Sequence, residues 1–591
     1  MKRVKAFFKE NEGLAAILFA IMGSNILFFN QKGWLMNPVY IAGAAIVFYA
    51  GIRYAWTQRK CFLQARIWKG SLILGLLFSA MVVVGSKITA ENVVFEAFHI
   101  ADLFSFLFYL VVGCLLFFDL YLLSEDKKIT GFIKPIEEKK EKSGKKNWLI
   151  YSIILILAWI PVFITYYPGI MPEDASVSVA ISMGSLPWDN HFPVFYTLIV
   201  GKLIYIGDCL LHDVNLGIAL YSVLQMVIMA GGLGYLLYWL EKKGIRKGVL
   251  YLGLAYFAAA PMFGNYAIVM WKDPWFSELL ILLAIFLYEH TVEDRMSFLK
   301  GRNLFYYAVL IVLMCLMRNN GIYIAVLITL YLLIVYRKEL KKVLPVLVGS
   351  IFVVWFITGP VYKHVFSAEN VFVESIGIPL QQMARTVVMG GEMDQEDREF
   401  MDHLLPLEKY QEYYSPNLVD YIKWAPEFDT PYLDAHKKEF FKTWWSMLLK
   451  NFDLYVEQYL MGTYGYWHIG GDTNYELVKV EVTGNDWGMY QSSPFETILG
   501  YPMKETLNGK YDYIASGLLV WAVLVNVVLC WMKKRGNYII PLLGMVGNWL
   551  TLMVATPTAF GVRYIFVCVI GLPLLMVYPW LIPGRKEDGQ K

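Results

Sequence analysis

The run WLIYSIILILAWIPVFITYYPGIMPEDASVSVAISMGSLPWDNHFPVFYTLIV, residues 148–200, decides what kind of protein this is. Its first part, Trp148–Tyr166, is apolar over close to the ~20 residues that a helix needs to cross the hydrocarbon core of a bilayer. A backbone in lipid must satisfy its own hydrogen bonds, so such a run is a helix rather than an open sheet. Comparable blocks recur at Leu216–Leu240, Lys342–Tyr362, Ile514–Met532 and Tyr538–Thr556. The chain of 591 residues is 57% hydrophobic and only 17% charged, which excludes an ordinary soluble domain. The expected fold is an all-α polytopic membrane protein.

Basic residues set its orientation. Lys and Arg cluster at Lys2–Lys9, Arg53–Lys69, Lys127–Lys146, Lys242–Lys247, Arg337–Lys342, Lys533–Arg535 and Arg585–Lys586. Short loops rich in Lys and Arg stay in the cytoplasm, so these mark the inner side. The apolar run Phe192–Ile206 is short for a span, and a full crossing there would put Lys242–Lys247 outside. Reading it as a re-entrant or interfacial helix restores the pattern and gives about 14 spanning helices with both termini inside. The organisation that follows is an N-terminal four-helix membrane region (1–123) and a charged cytoplasmic linker (124–147). A membrane core (148–363) with a first outer loop at 167–191 comes next. An extracytoplasmic region (364–512) and C-terminal membrane helices with a short cytoplasmic tail (513–591) complete it. The outer region holds 24 Asp and Glu against 11 Lys and Arg. Within it, EFFKTWWSMLLKNFDLYVEQYL reads as a helix lying at the membrane surface, its aromatics at headgroup depth. The expected location is the plasma membrane of a bacterium, with the working face outside.

The chemistry-bearing residues gather in these outer segments. The turn YPGIMPED holds Glu173 and Asp174 at a fixed depth just beyond a membrane helix, and Thr165–Leu198 contains no Lys or Arg. Acids at a membrane boundary often do no more than stay hydrated, but a carboxylate fixed near apolar surface can serve as a general base. His191 in WDNHFP is an acid, base or metal ligand by type, or a structural hydrogen-bonder. Lys272 and Asp273 in MWKDPW read either as an ion pair at a helix start or as a phosphate contact with an orienting acid. Arg318 in LMRNNG interrupts two apolar runs, and charges so placed face a cavity or a partner. Arg385 in IPLQQMAR and Arg563 in FGVRY add two more outer cations, for which a lipid phosphate or diphosphate supplies a reason. Asp174, Asp273 and His191 are compatible with a divalent metal, but no ligand spacing is diagnostic.

Taken in order, YPGIMPEDA, HFP, WKDPWF, RNNG, IPLQQMAR and VRY resemble the outer-loop motifs of the GT-C superfamily of polytopic, lipid-phosphate-sugar-dependent glycosyltransferases, bacterial members above all. The resemblance covers about residues 150–580 and rests on the order of short motifs. It implies a polyprenyl-phosphate sugar donor, inversion at the anomeric carbon, and Asp174 as catalytic base beside Glu173. It also implies a donor-phosphate site of Lys272, Arg318, Arg385 and Arg563, with His191, Asp273, Asn319 and Gln382 as substrate contacts. PEDAS departs from the pattern, since many members carry Asp followed by Ser. The implied acceptor is a cell-envelope glycan, lipid or protein; membrane lipids surround the chain, and nucleic acid is not an expected partner. Two other classes fit parts of the pattern. An outer-face polymer ligase or acyltransferase also needs a long outer loop with Arg and His, whereas a lipid-sugar transporter or flippase would show paired halves.

Overall fold

A computed structural model describes residues 38–88, 99–126, 144–368, 371–469, 480–501, 515–555 and 558–583, with isolated positions at 129, 131, 133, 503 and 504. The apolar block 14–29, the basic cluster at Lys2–Lys9 and most of the charged linker lie outside these residues. Among the described residues the fold is all-helical, and the β-type pairings are three isolated bridges.

Among the described residues seven helices are long and apolar enough to cross a membrane, including Lys145–Thr165, Val214–Lys242, Lys272–Glu293 and Leu340–Phe366. The bent pair Val562–Ile570 and Leu572–Leu581 makes an eighth if it is one span. The other described runs behind the expected ~14 spans are the shorter apolar helices Lys247–Ala259, Gly301–Met317, Gly321–Val335 and Ser516–Met532, and the helix Pro38–Thr57.

The chain divides into two compact units. One comprises residues 1–132, 525–535 and 579–591, and the other 133–524 and 536–578. The expected C-terminal region 513–591 is therefore shared between them. In the first unit Ala65–Gly85 packs on Ile100–Glu125 where Gly75 meets Gly113; a Cβ on Gly113 would lie 3.0 Å from the Gly75 Cα. Small residues let membrane helices approach this closely.

The second unit carries every candidate residue. Lys145–Thr165 packs along Val214–Lys242. At one end Asn147 Nδ2 donates to Glu241 Oε1 at 2.9 Å and Tyr151 OH to Glu241 Oε2 at 3.1 Å. The basic loop after Lys242 thus lies at the same end as the close of the charged linker. At the other end Gly169, at φ +152°, rests on the long helix, where a Cβ would come within 2.1 Å of Ser222 Oγ. Only glycine fits that approach. Val194–Tyr205 is a 12-residue helix. Tyr196 OH meets Tyr221 OH at 2.9 Å, and Gly207, just past its end, abuts Gly217. Both contacts fall within the first eight residues of Val214–Lys242, and the helical path continues through Ile206–Leu210 as a π-helical turn.

Backbone stitches fix the segments around the acids. Ile170 N donates to Ile268 O at 3.2 Å and Met270 N to Ile170 O at 2.9 Å. Met171 pairs in the same way with Glu481 and Thr483, and Ala559 N donates to Asn417 O at 2.9 Å. The chain just before Asp174 is thereby tied to the chain just before Lys272.

Residues 371–463 form a helical domain rather than a loop. Leu380, Met383, Phe400, Met401, Ile422 and Phe440 are among the apolar side chains of its core. The expected single surface helix is two, Lys437–Lys450 and Phe452–Thr463. The break is at Asn451, whose Oδ1 accepts from Glu392 N at 2.7 Å and whose Nδ2 donates to Glu392 O at 2.8 Å. Phe440 and Met447 face the core, while Phe441, Trp445, Leu449 and Phe452 stay exposed.

Candidate functional site

Four charged side chains from four distant segments form one chain of ion pairs. Asp174 stands in the first turn of the helix Glu173–Ser182, directly after Pro172. An acid there complements the helix dipole. Its Oδ2 accepts from Arg563 NH2 at 2.7 Å. Arg563 Nε lies 3.4 Å from Asp273 Oδ2, and Asp273 Oδ1 accepts from Arg318 NH1 at 2.6 Å. Asp273 occupies the first turn of Lys272–Leu287 and is 1% exposed; the Asp174 side chain is 41% exposed. One acid is locked between two guanidinium groups, and the other is open and held by one.

Aromatic faces frame the cations. The Arg563 guanidinium sits 4.6 Å over the Trp271 ring and 5.0 Å over Tyr564, and Arg318 sits 4.9 Å over Tyr564. Lys272 Nζ reaches His191 O at 3.4 Å and lies 5.5 Å over the Phe192 ring. Lys272, Arg318 and Arg563 together outnumber Asp174 and Asp273. By formal charge the cluster is one positive charge in excess, which favours an anion, and burial pulls the Lys272 amine below its usual value, so an anion there would also steady its charge.

The RNNG break between Gly301–Met317 and Gly321–Val335 acts as a three-way clamp. Arg318 takes Asp273, Asn319 Nδ2 donates to Asn190 O, and Asn320 Nδ2 donates to Thr551 Oγ1 at 3.0 Å. Asn319 therefore holds the first outer loop against the core. Asp189 Oδ1 accepts from His191 N at 2.9 Å and Phe192 N at 3.1 Å, closing that loop's turn.

His191 meets two residues that the sequence did not bring forward. Its Nδ1 is 3.4 Å from Glu374 Oε2, and the buried Lys423 donates to the same oxygen at 2.7 Å. Glu374 and Lys423 belong to the helical segment 371–463, which therefore touches the 167–191 loop here. Burial, with the Lys272 and Lys423 charges, pushes the His191 imidazole well below its usual value. It is neutral at physiological pH. Asp174 is open on one side only, and the packed protein around it would by itself raise its carboxyl, but the Arg563 and Lys272 charges outweigh this and hold it well below the usual carboxylate range.

Two of the expected site residues lie elsewhere. Arg385 and Gln382 are not at this site. Arg385 is 1% exposed inside the outer domain, where it pairs with Glu457 and donates to Tyr414 OH at 3.4 Å. Gln382 Nε2 donates to Tyr455 O at 3.1 Å, and its Oε1 accepts from Trp444 Nε1 at 2.9 Å. Both hold that domain together. Arg563 grips Asp174 directly, so the acid and one of the cations are immediate neighbours. Among the described residues no group of three His, Cys, Asp or Glu is arranged to hold a metal ion. A guanidinium occupies the gap between the two acids. Glu173, beside Asp174, is exposed.

A family model described as a family of unknown function (DUF6020) matches residues 186–495, just over half of the chain, and the chain belongs to that family. The match spans His191, Lys272, Asp273 and Arg318, while Asp174 and Arg563 lie outside it. No curated protein and no solved structure matches the chain.

Proposed function

We propose that this member of the DUF6020 family is a membrane glycosyltransferase that moves a sugar from a polyprenyl-phosphate donor to an extracytoplasmic acceptor, inverting the anomeric carbon. The observation that carries the reading is the cationic, aromatic-framed cluster around Asp174 and Asp273, at the membrane-helix ends away from the Lys242–Lys247 loop. The singly charged phosphodiester of the donor matches the excess positive charge, the monoester that departs carries more, and bidentate guanidinium groups match phosphate geometry. The likeness of the ordered outer motifs to GT-C enzymes points the same way.

In this reading Asp174 takes the proton of the acceptor hydroxyl as its oxygen bonds to the anomeric carbon. The bond from that carbon to the phosphate oxygen breaks with its electron pair on the phosphate. Lys272, Arg318 and Arg563 stabilise the departing charge. Asp273 orients the two arginines, and neutral His191 with Asn319 shapes the acceptor side. The acceptor is a cell-envelope glycan, lipid or protein. About 14 spans, with the site on the outer face of a bacterial plasma membrane, complete the proposal.

The test is incubation of purified protein with a panel of radiolabelled polyprenyl-phosphate sugars and envelope acceptors. Transfer with inversion supports the reading, and its absence for every donor sinks it. Arg318→Gln removes a charge-assisted contact worth about 1.5–3 kcal/mol, so donor affinity is expected to fall by roughly ten- to a hundred-fold. Arg318→Lys, which keeps a charge against Asp273, should lose less. Unchanged donor affinity in a folded Arg318→Gln protein takes Arg318 out of the phosphate site.

Orientation has its own check. Val194–Tyr205 stays at the Asp174 end of its neighbour, which favours Lys242–Lys247 inside. A chain with its six native cysteines replaced and carrying Gly244→Cys should resist an impermeant thiol reagent in intact cells and react after lysis. Labelling in intact cells would overturn the topology.

A further inference from the structure

Resting on the phosphate-site reading above, we infer that Arg563 is a shared cation: it holds Asp174 idle until a phosphate binds, then transfers to the phosphate and leaves Asp174 free to act. The geometry that points to this is the unequal hold on the two acids. Asp273 is 1% exposed and sits between Arg318 at 2.6 Å and Arg563 at 3.4 Å. Asp174, 41% exposed, has Arg563 at 2.7 Å. An incoming anion competes for the cation whose present partner is most easily rehydrated. That cation is Arg563, and the acid it releases is Asp174.

The surroundings allow the exchange. The residue's backbone is anchored, since Gly561 N donates to Tyr466 OH at 3.0 Å and Tyr564 O accepts from Asn548 Nδ2 at 2.7 Å. The guanidinium faces lie against Trp271 and Tyr564. Stacking holds a guanidinium by its faces and leaves its edge N–H groups to change partners. Asp273 Oδ2 is buried and accepts no hydrogen bond, with Arg563 Nε 3.4 Å away. When NH2 leaves Asp174, Nε closes on that oxygen, so the movement satisfies a buried acceptor as well as the phosphate. A second consequence concerns base strength. With Arg563 in place the Asp174 carboxyl is held low and is a weak base; with Arg563 on the phosphate it returns toward the ordinary carboxylate range. Phosphate binding would arm the acid, and an empty site would keep it inert toward water.

The test reads binding and needs no transfer. Farnesyl phosphate, a soluble prenyl monophosphate, is titrated into the full-length protein in detergent, with thermal melting as the folding control. In the wild type Arg563 must be stripped from Asp174 before it can bind the ligand. In Asp174→Asn that competitor is gone, so affinity should rise by about ten-fold or more, as the loss of one charge-assisted contact implies. Simple removal of a negative charge would also tighten binding, so the cycle is completed with Arg563→Gln. The exchange requires the Asp174→Asn gain to vanish in the Arg563→Gln background, whereas plain repulsion leaves it in place. Arg563→Lys, which retains a cation, keeps the measurement decisive if Arg563→Gln folds poorly: there the gain should shrink but persist. Equal affinity in wild type and Asp174→Asn, or a gain that survives Arg563→Gln, overturns the shared-cation role while leaving the anion site standing. No binding by either protein overturns both. Failure of sugar transfer with binding and the cycle intact counts against the glycosyltransferase reading alone.

Discussion

Asp174→Asn is expected to cut sugar transfer by about 10²–10⁴-fold, the usual contribution of a positioned general base. The substitution is nearly isosteric and leaves the helix Glu173–Ser182 a polar residue in its first turn. The ion pair it removes joins a 41% exposed carboxylate to Arg563, and such pairs contribute little to stability. Melting temperature should therefore barely move while turnover collapses. Glu173→Gln should cost far less, because Glu173 is exposed beside the cluster rather than in its ion-pair chain. The comparison is read as turnover with saturating polyprenyl-phosphate sugar, wild type against each variant. Near-normal turnover in Asp174→Asn with none in Glu173→Gln would move the base one residue back. Activity in both would sink the mechanism.

Much of the site's scaffold was legible because it is local. Pro172 followed by two acids gives a helix start with its charges in the first turn, and Pro193 gives the start at Val194. The break at RNNG between two apolar runs puts Arg318 at a helix end. The short run Phe192–Ile206 was legible as a helix, and it forms one at Val194–Tyr205, with Tyr196 against Tyr221. Partnerships across the chain were not legible. Asp174 and Arg563 are 389 residues apart, and nothing in either motif names the other. Glu374 and Lys423 look like ordinary members of an acidic outer region until the domain folds and sets them beside His191. The same blindness explains Arg385. An arginine amid apolar residues looks alike whether it awaits a phosphate or already has an acid, and its acid, Glu457, lies 72 residues on.

That difference carries the other large expected effect. Arg385→Met should destabilise the domain 371–463 by about 3–5 kcal/mol, because removing one member of a buried pair strands the other. Arg385 is 1% exposed and Glu457 13%, so water does little to screen either. The loss spreads through contacts that share the pair: Tyr414 OH receives Arg385 and in turn bonds Gln458 Oε1, and Gln458 Nε2 reaches Pro416 O at 3.0 Å. Beyond Pro416 the chain runs to Asn417, whose carbonyl ties the domain to Ala559 four residues before Arg563. The effect on the charged cluster would thus be indirect, through the Asn417–Ala559 tie. Protease sensitivity of the outer domain and its melting should both report the change, with phosphate affinity nearly normal in the fraction that remains folded. Arg385→Met combined with Glu457→Met should recover most of the stability, since a buried pair replaced by apolar side chains of similar size is often neutral or better. A stable Arg385→Met protein that has lost phosphate binding would return Arg385 to the anion site and overturn the structural role given to it here.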